Sequence, residues 1–519
     1  MTSPLVAAAA GDPGVFDPLS WWGHHDPSRI ALQVAPDGAL WTYGALHAAA
    51  QAWAHALHDD GVRAHDRVAV LARNRVEHLV LLAACTRLGA TLVPLNWRLA
   101  PPELARVLGD AAPTLLLTGG DEQGLAEQAL TGLRGAPSPR VRVLPTAIPP
   151  RAHPSSPRGV FAVSDAATSP PPAMLLYTSG TTGEPKGVIV PHAQLHWNAA
   201  STVSAWRLHS EHVALVMSPF FHTAGWGVFA LPLLSIGAQL VLLPAFDAEL
   251  VLHTLEACRI SHTFGVPTQW QDLLASPRWG RPLPHLAWML TGGAACPRAV
   301  HDAVVAAGYD FREGFGLTEC GPNCFVTTSA RAREHPGVVG DPLPSLQARL
   351  VDDDGTVVSA PDTPGELQLR GPQLFGGYWQ NAAATAAVMT ADGWLRTGDM
   401  LSADPRVGYR VRGRRKEMFI SGGENVFPGE VEAALLATGL VREACVVGVP
   451  HARWGEVGAA CVVPAPGVSF DAPTVQRALR DWLAGYKVPQ RLRSVAALPR
   501  LGSGKVDRAA VTALLQDGA

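Results

Sequence analysis

The residues best suited to chemistry stand in one run, LLYTSGTTGEPKGV, from Leu175 to Val188. The apolar segment Ala173-Met174-Leu175-Leu176 reads as the end of a buried strand. Behind it come four hydroxyl residues, three glycines, one proline and one lysine. Gly180 and Gly183 leave backbone N–H groups uncovered, Thr178, Ser179, Thr181 and Thr182 add hydroxyls, and Lys186 adds a charge. Such a stretch is expected to be neither strand nor helix, but a loop that cradles an anion, phosphate above others. Residue order narrows the chemistry. Gly-x-x-x-x-Gly-Lys-[Ser/Thr] fails because Lys186 stands between Pro185 and Gly187, and Gly-x-Gly-x-x-Gly fails too. Kinase-like and dehydrogenase-like readings both lose support. A second concentration of charge is Arg412, Arg414, Arg415 and Lys416. It reads either as a solvated linker or as a charged hinge over a phosphate site.

These residues need a scaffold. From Asp66 the chain alternates strand RVAVLA, helix EHLVLLAACTRLG, strand ATLVPLN, helix PPELARVLGDA and strand TLLLTG. Apolar runs alternating with helical segments imply βαβ units and a parallel sheet covered on both faces. A second series begins at Val213 and runs through ELVLHTLEACRI, SHTFGVP, TQWQDLLAS and LAWMLTGG. The joins RLGATLVPLN (87–96) and SIGAQLVLLP (235–244) echo each other, so two α/β subdomains of similar build are expected. Gly119 to Pro172, rich in Pro, Ser, Ala and Arg, reads as a surface crossover. From about Gly365 the texture shifts to shorter alternating strands. Roughly a hundred residues follow the basic run, enough for a small α+β domain.

The 519 residues set a prior of roughly three domains. Hydrophobic content of 47% with 16% charge is that of a globular protein with a large core. A formal charge of −3 gives no case for nucleic acid or an anionic membrane as the main partner. Seven cysteines at scattered positions form no disulfide framework, and Cys320 and Cys324 lack a second ligand pair for zinc, so reduced thiols are expected. The N-terminal stretch has no basic region and too short an apolar segment for a signal peptide, which suggests the cytoplasm. Between Glu211 and Asp247 there is no Asp, Glu, Lys or Arg. Pro219, Pro232, Pro244, Gly225, Gly227 and Gly237 cut that run into pieces too short for an integral membrane segment.

The run YTSGTTGEPKGV resembles the phosphate-binding signature of the adenylate-forming enzymes: acyl-CoA synthetases, beetle luciferases and the adenylation domains of peptide synthetases. EGFGLTE (313–319), GELQLRGPQLFGGYW (365–379), GWLRTGDM (393–400), GRRKEMFISGGENVFPGEVE (413–432) and LPRLGSGKVDR (498–508) resemble further motifs of that family, in its order and spacing. Together they span essentially the whole chain. The resemblance implies an α/β fold with a large N-terminal domain of two α/β subdomains plus a small β-region, followed by a mobile small α+β C-terminal domain. The implied boundaries are 1–413 and 418–519, with 414–417 as hinge.

It also implies a reaction in which a carboxylate attacks the α-phosphate of ATP, pyrophosphate leaves, and a thiol then displaces AMP from the acyl-adenylate. That chemistry is mostly charge neutralisation and positioning. By resemblance, Thr178, Ser179, Thr181, Thr182 and Lys186 hold the β- and γ-phosphates, Thr318 meets the α-phosphate, and Glu319 ligates Mg²⁺. Phe315, beside Gly316, lies against adenine where tyrosine is usual, so any contact of that hydroxyl is missing. Gly292, Gly293 and Ala294 line both adenine and acyl group, as does the backbone at Gly314 on the acyl side. Asp399 accepts the ribose hydroxyls and Arg414 is a second ribose contact. Lys505 bridges the substrate carboxylate and the α-phosphate, and Lys416 sits at the hinge. In a second pose the SGGEN hairpin takes the place of Lys505, with Gly422 and Gly423 leaving room for the pantetheine arm of coenzyme A.

The substrate is a small-molecule carboxylic acid. PFFHTAGW (219–226) carries His222 where amino-acid-activating members show an aspartate-bearing motif, and no carrier domain is apparent, so a simple acid and free CoA are favoured. His222 is expected to line the acyl site. Trp226 coincides with a tryptophan suggested to gate the acyl tunnel in some long- and medium-chain fatty acyl-CoA synthetases, and it reads equally as a core residue. Apolar, small walls favour a medium- or long-chain fatty acid. An aryl acid such as a benzoate or cinnamate is the close alternative, followed by an acyl-AMP ligase serving a separate carrier and a non-catalytic sensor. The oligomeric state stays open, a homodimer included.

Overall fold

The computed structural model describes residues 14–35, 38–133, 137–145, 170–179, 185–422, 424–502 and 504–516. The two echoing joins fold alike. Gly89 (φ 67°) follows the helix Val76–Leu88 and Gly237 (φ 75°) follows the helix Ala230–Ser235, and each turns the chain into a buried strand, Thr91–Leu95 or Gln239–Leu242. Left-handed backbone of this kind strains any residue with a Cβ.

Each join belongs to its own sheet. The first orders its strands 140–143, 115–118, 67–71, 91–95, 174–179 and 185–190, parallel except for the last pair. The second orders 311–313, 288–291, 262–265, 213–216, 239–242, 30–34 and 40–42, parallel until the antiparallel edge strand Leu40–Thr42. The edge pair Ile30–Val34 and Leu40–Thr42 precedes the first βαβ series yet completes the second sheet. Strand alternation divides the apolar side chains between two layers. Val68 and Val70, with Ala214, Val216, Leu240 and Leu242, enter one core shared by both sheets. Ala69 and Leu71 face an outer core under the helix Pro101–Ala111, while Leu215 and Val241 face another. The helix Val76–Leu88 lies within the shared core, buried continuously from Val76 to Thr86, and a helix apolar all round can be stable only in such a place.

A third sheet, antiparallel throughout, orders 325–326, 338–342, 408–414, 395–404, 365–370 and 347–351. A fourth, in the smaller C-terminal domain, orders 424–426, 419–421, 455–464 and 441–451, with Arg491–Ser494 parallel to Gly455–Pro464. The chain is thus mixed α/β, with a large N-terminal and a smaller C-terminal domain. Among the described residues no helix is long and apolar enough to cross a membrane.

Two expectations need correction. The strand after Ala173 does not stop at Leu176. Met174–Ser179 pairs antiparallel with Pro185–Val190, Thr178 opposite Lys186, because ladder hydrogen bonds need only backbone, and β-branched Thr178, Val188, Ile189 and Val190 favour extension. Gly180, Thr181, Thr182 and Gly183, between those strands, lie outside the described residues, as does Gly423. The stretch from Gly119 is also more than a crossover, since it holds the helix Gln123–Thr131 and the edge strand Arg140–Val143.

Buried Asn74 fastens the two parallel sheets together. Its amide donates to the Ser218 carbonyl (2.8 Å) and accepts from the Phe220 N–H (2.9 Å), while its own N–H donates to Pro244 O (3.0 Å). The loop so held carries Phe221 and His222. Asn74→Ala leaves two buried backbone groups without partners and should lower unfolding free energy by about 2–4 kcal/mol. Urea unfolding measures this, and a change within about 0.5 kcal/mol would remove the clamp from the account.

Candidate active site

Antiparallel pairing puts Asp399 opposite Arg414 on neighbouring strands. Asp399 is 4% exposed, one carboxylate oxygen sits 2.8 Å from Arg414 Nε, and the other, Oδ2, is buried with no partner among the described residues. Burial raises its pKa to about 6, Arg414 pulling the other way. Glu319 lies nearby, one oxygen accepting from the Tyr378 hydroxyl (2.8 Å), and the Lys186 ammonium stands 5.2 Å from the Tyr378 ring centroid.

Lys505 arrives from the C-terminal domain. Burial lowers its pKa, Arg414 lowers it further, and Glu319, Asp399 and Glu417 raise it. Lys416 is lowered by burial and also feels Arg414, Lys505 and Lys186. Four cationic side chains, Lys186, Arg414, Lys416 and Lys505, therefore share one neighbourhood with Glu319 and Asp399. Like charges gathered this closely form an anion site, and a polyphosphate fits that chemistry.

The acyl side adjoins it. His222 is partly buried and its pKa is lowered to about 4, first by desolvation and then by Lys505 and Arg98, so its ring is neutral near pH 7. Gly292 lies so close to Gly314 that an added Cβ would meet the Gly314 carbonyl oxygen at 2.9 Å, which presses the Gly292–Ala294 turn onto the strand end. At Gly316 an added Cβ would stand 2.1 Å from Pro322 O, so only glycine lets the chain double back there. Phe315 meets Phe325 edge-on, ring centroids 5.7 Å apart. Thr318 is held through its carbonyl, which accepts from Gln194 Nε2 at 2.8 Å. Trp226 is 1% exposed, donates from Nε1 to Phe220 O and packs against the Phe220 ring, which fixes it in the core. Gly422 packs against Trp454 inside the C-terminal domain, apart from the group that meets Glu319 and Asp399, which is Lys505.

Sequence reasoning missed several participants. Tyr378 stood in a quoted motif, but nothing in a GGYW run says that its hydroxyl meets Glu319. Arg98 had no signal at all, although Gly502 docks beside it, an added Cβ there lying 3.1 Å from Glu103 Oε2 and 3.4 Å from Arg98 O. Glu313 is partly buried, and desolvation raises its pKa to about 7 against the Gly337 N–H from which it accepts at 2.8 Å.

The comparisons agree with this arrangement. The AMP-binding enzyme pattern matches residues 19–379 and the AMP-binding enzyme C-terminal domain matches residues 430–505, and the chain belongs to this family. A feruloyl-CoA synthase from an Amycolatopsis species is 38% identical over 489 residues, covering 92% of this chain and 95% of the relative. An indoleacetate–CoA ligase from Aromatoleum aromaticum is 36% identical over 499 residues, covering 94% and 96%. The crystal structure of ATP-bound MatB from Rhodopseudomonas palustris superposes with a TM-score of 0.81 at 31% identity, covering 95% of this chain and 96% of that one.

The protein is thus an ATP-dependent acid–CoA ligase that uses ATP, Mg²⁺ and CoA. Its residues fit these groups. The unpartnered Oδ2 of Asp399 is a ready acceptor for a hydroxyl donor such as a ribose. Glu319, whose carboxylate accepts from the Tyr378 hydroxyl, supplies a hard oxygen ligand for an ion that would also take phosphate and water.

Asp399 has a measurable pH consequence. Its folded pKa lies above the usual carboxylate value of 3.8, so protonation favours the folded state and fold stability from this group rises as pH falls through about 6 toward about 4. Binding moves the opposite way, because a neutral acid accepts hydroxyl donors poorly. The KM for ATP should rise severalfold between pH 7 and pH 5.5 with no loss of melting temperature, and Asp399→Asn should raise KM and remove that limb. A flat profile in the unmodified protein contradicts this.

Proposed function

We propose that the protein couples an aromatic carboxylic acid to CoA in two half-reactions at one centre. The approach of Lys505 to Glu319, Asp399 and Arg414 is the observation that carries this reading. In the first half-reaction a carboxylate oxygen attacks the α-phosphorus and the bond to pyrophosphate breaks. Lys186, with the hydroxyls of Thr178, Ser179, Thr181 and Thr182 and the backbone at Gly180 and Gly183, holds the β- and γ-phosphates. Thr318 meets the α-phosphate, Asp399 and Arg414 hold the ribose, and Lys505 stands between carboxylate and α-phosphate as negative charge builds on both. A magnesium ion at Glu319 would neutralise phosphate charge. Phe315, Gly293 and Ala294 border adenine, while neutral His222, Gly292 and Gly314 border the acyl carbon. In the second half-reaction the CoA sulfur attacks that carbon and AMP leaves with the bonding electrons.

The acid is read here as aromatic rather than fatty because two relatives of more than one-third identity over nearly the whole chain are named for feruloyl and indoleacetate chemistry.

The hinge reading of Lys416 gains support from its neighbours. Arg415 pairs with Glu366 (2.9 Å) and Asp353 (2.6 Å) on the large domain, whereas Glu417 pairs with Arg508 (3.1 Å) on the small one. A rotation at Lys416 leaves both anchors intact and would exchange Lys505 for the hairpin carrying Gly422 and Gly423, with the division falling at 1–413, 414–417 and 418–519.

Carboxylate-dependent release of pyrophosphate and AMP, with CoA present or absent, tests the reading across cinnamates, arylacetates, benzoates and fatty acids of graded length. Aryl acids should exceed every fatty acid at least tenfold in kcat/KM with free CoA. A fatty-acid optimum would overturn the substrate class. Lys505→Ala should cut adenylation by roughly a hundredfold or more while sparing thioester formation from preformed acyl-adenylate, and equal loss of both would remove its assigned role. Lys416→Pro should depress thioester formation from preformed acyl-adenylate at least tenfold more than it depresses adenylation, and unchanged thioester formation would place the hinge elsewhere.

A further inference from the structure

We propose that Tyr378 is a positioning residue that aligns two ATP-directed groups of the first half-reaction, its hydroxyl setting the Glu319 carboxylate and its ring carrying the Lys186 ammonium. The inference rests on the roles read above for Glu319 and Lys186. It starts from the GGYW run, whose glycines let one loop close onto two separate parts of the site.

Residues 376–379 lie along the edge strand Pro185–Val190 as a short antiparallel extension. The Gly376 N–H donates to Ile189 O at 2.9 Å, the Ile189 N–H to Gly377 O at 3.0 Å, and the Trp379 N–H to Gly187 O at 2.7 Å. Val188 stands opposite Tyr378. Glycine permits so close an approach: an added Cβ at Gly376 would meet Ile189 Cγ2 at 2.7 Å, and Gly377 has a φ of 104°. Side chains two apart on a strand share a face, so Lys186, two residues before Val188, is a diagonal neighbour of Tyr378. Its ammonium lies 5.2 Å from the Tyr378 ring centroid, within reach of a cation–π contact.

The same loop grips the turn that carries Glu319. Gln373 Nε2 donates to Cys320 O at 2.7 Å, the Phe375 N–H donates to Glu319 O at 2.8 Å, and the Tyr378 hydroxyl donates to Glu319 Oε1 at 2.8 Å. Main chain and carboxylate of Glu319 are thus both held from one segment, and the Tyr378 bond leaves Oε2 to a cation. Tyr378 is itself fixed. Its N–H donates to the Thr385 hydroxyl at 2.9 Å, and the Phe375 ring meets it edge-on, centroids 5.1 Å apart. A neutral side chain can hold an ammonium and a carboxylate without neutralising either, so Lys186 keeps its charge for phosphate and Glu319 for magnesium.

Calorimetric ATP binding to the full-length enzyme, without acid so that no turnover occurs, tests this in excess EDTA and across a Mg²⁺ titration. Tyr378→Phe keeps the ring and removes the hydroxyl. It should hold ATP affinity in EDTA within about twofold, yet raise the Mg²⁺ concentration for half-maximal tightening of ATP binding about three- to tenfold. Tyr378→Leu removes the ring as well and should also weaken ATP binding in EDTA about three- to tenfold. A merely structural role would weaken binding equally with and without Mg²⁺ in the Phe variant, and that result overturns the proposal. Equal ATP affinity of the Phe and Leu variants in EDTA overturns the role of the ring. If the Leu variant does not fold, the Phe variant decides alone. Glu319→Gln separates the two readings. An unchanged Mg²⁺ requirement in Tyr378→Phe, with a raised one in Glu319→Gln, defeats the proposal only; an unchanged requirement in Glu319→Gln defeats the magnesium role of Glu319 and the proposal with it.

Discussion

The structure turns on a charge arrangement that neither domain can make alone. Lys505 comes from the C-terminal domain into a neighbourhood that already holds Arg414, Lys416 and Lys186, and the carboxylates of Glu319 and Asp399 offset the accumulation only in part. Partial desolvation is the first cause that lowers the pKa of Lys416 and of Lys505, and Arg414 lowers both further, so added negative charge here is favourable. A polyphosphate supplies the missing negative charge.

The rest of the fold brings these groups together. Two parallel sheets share one apolar core, and their carboxyl ends deliver the turns bearing Gly292, His222 and Asn74 to one side. Asn74 links the sheets, Gln194 links a helix of the shared core to Thr318, and the third sheet supplies Asp399 and Arg414 from adjacent strands. The small domain docks through the loop around Gly502 and Gly504, against Arg98 and Glu103. Polar contacts between backbone and amide side chains thus hold the loops that bulk burial alone would leave loose.

Much of this was legible in the sequence, for identifiable reasons. The βαβ alternation, the two glycine joins and the antiparallel texture after Gly365 are consequences of local periodicity, and local periodicity is what a sequence exposes. Motif residues such as Lys186, Glu319 and Asp399 could be named because their flanking patterns are distinctive. What stayed hidden depends on partners distant in the chain. The extension of the strand through Ser179 comes from ladder pairing with Pro185–Val190, which composition does not reveal. Gln194 looks like an ordinary polar position on a helix until its amide is seen to hold the Thr318 carbonyl. Trp226 fitted a gate by position, yet its indole is held by Phe220 in the core. The lean toward a fatty acid followed from small apolar walls, which suit a ring as well as a chain.

A crystal structure with a non-hydrolysable sulfamoyl analogue of an aryl acyl-adenylate tests the central claim most directly. The account predicts ribose hydroxyls within hydrogen-bond distance of Asp399 Oδ2, Lys505 Nζ between the acyl carbonyl and the sulfamoyl group, and the ring beyond His222. A nucleotide bound away from Asp399, or Lys505 directed into solvent with the analogue in place, would contradict it.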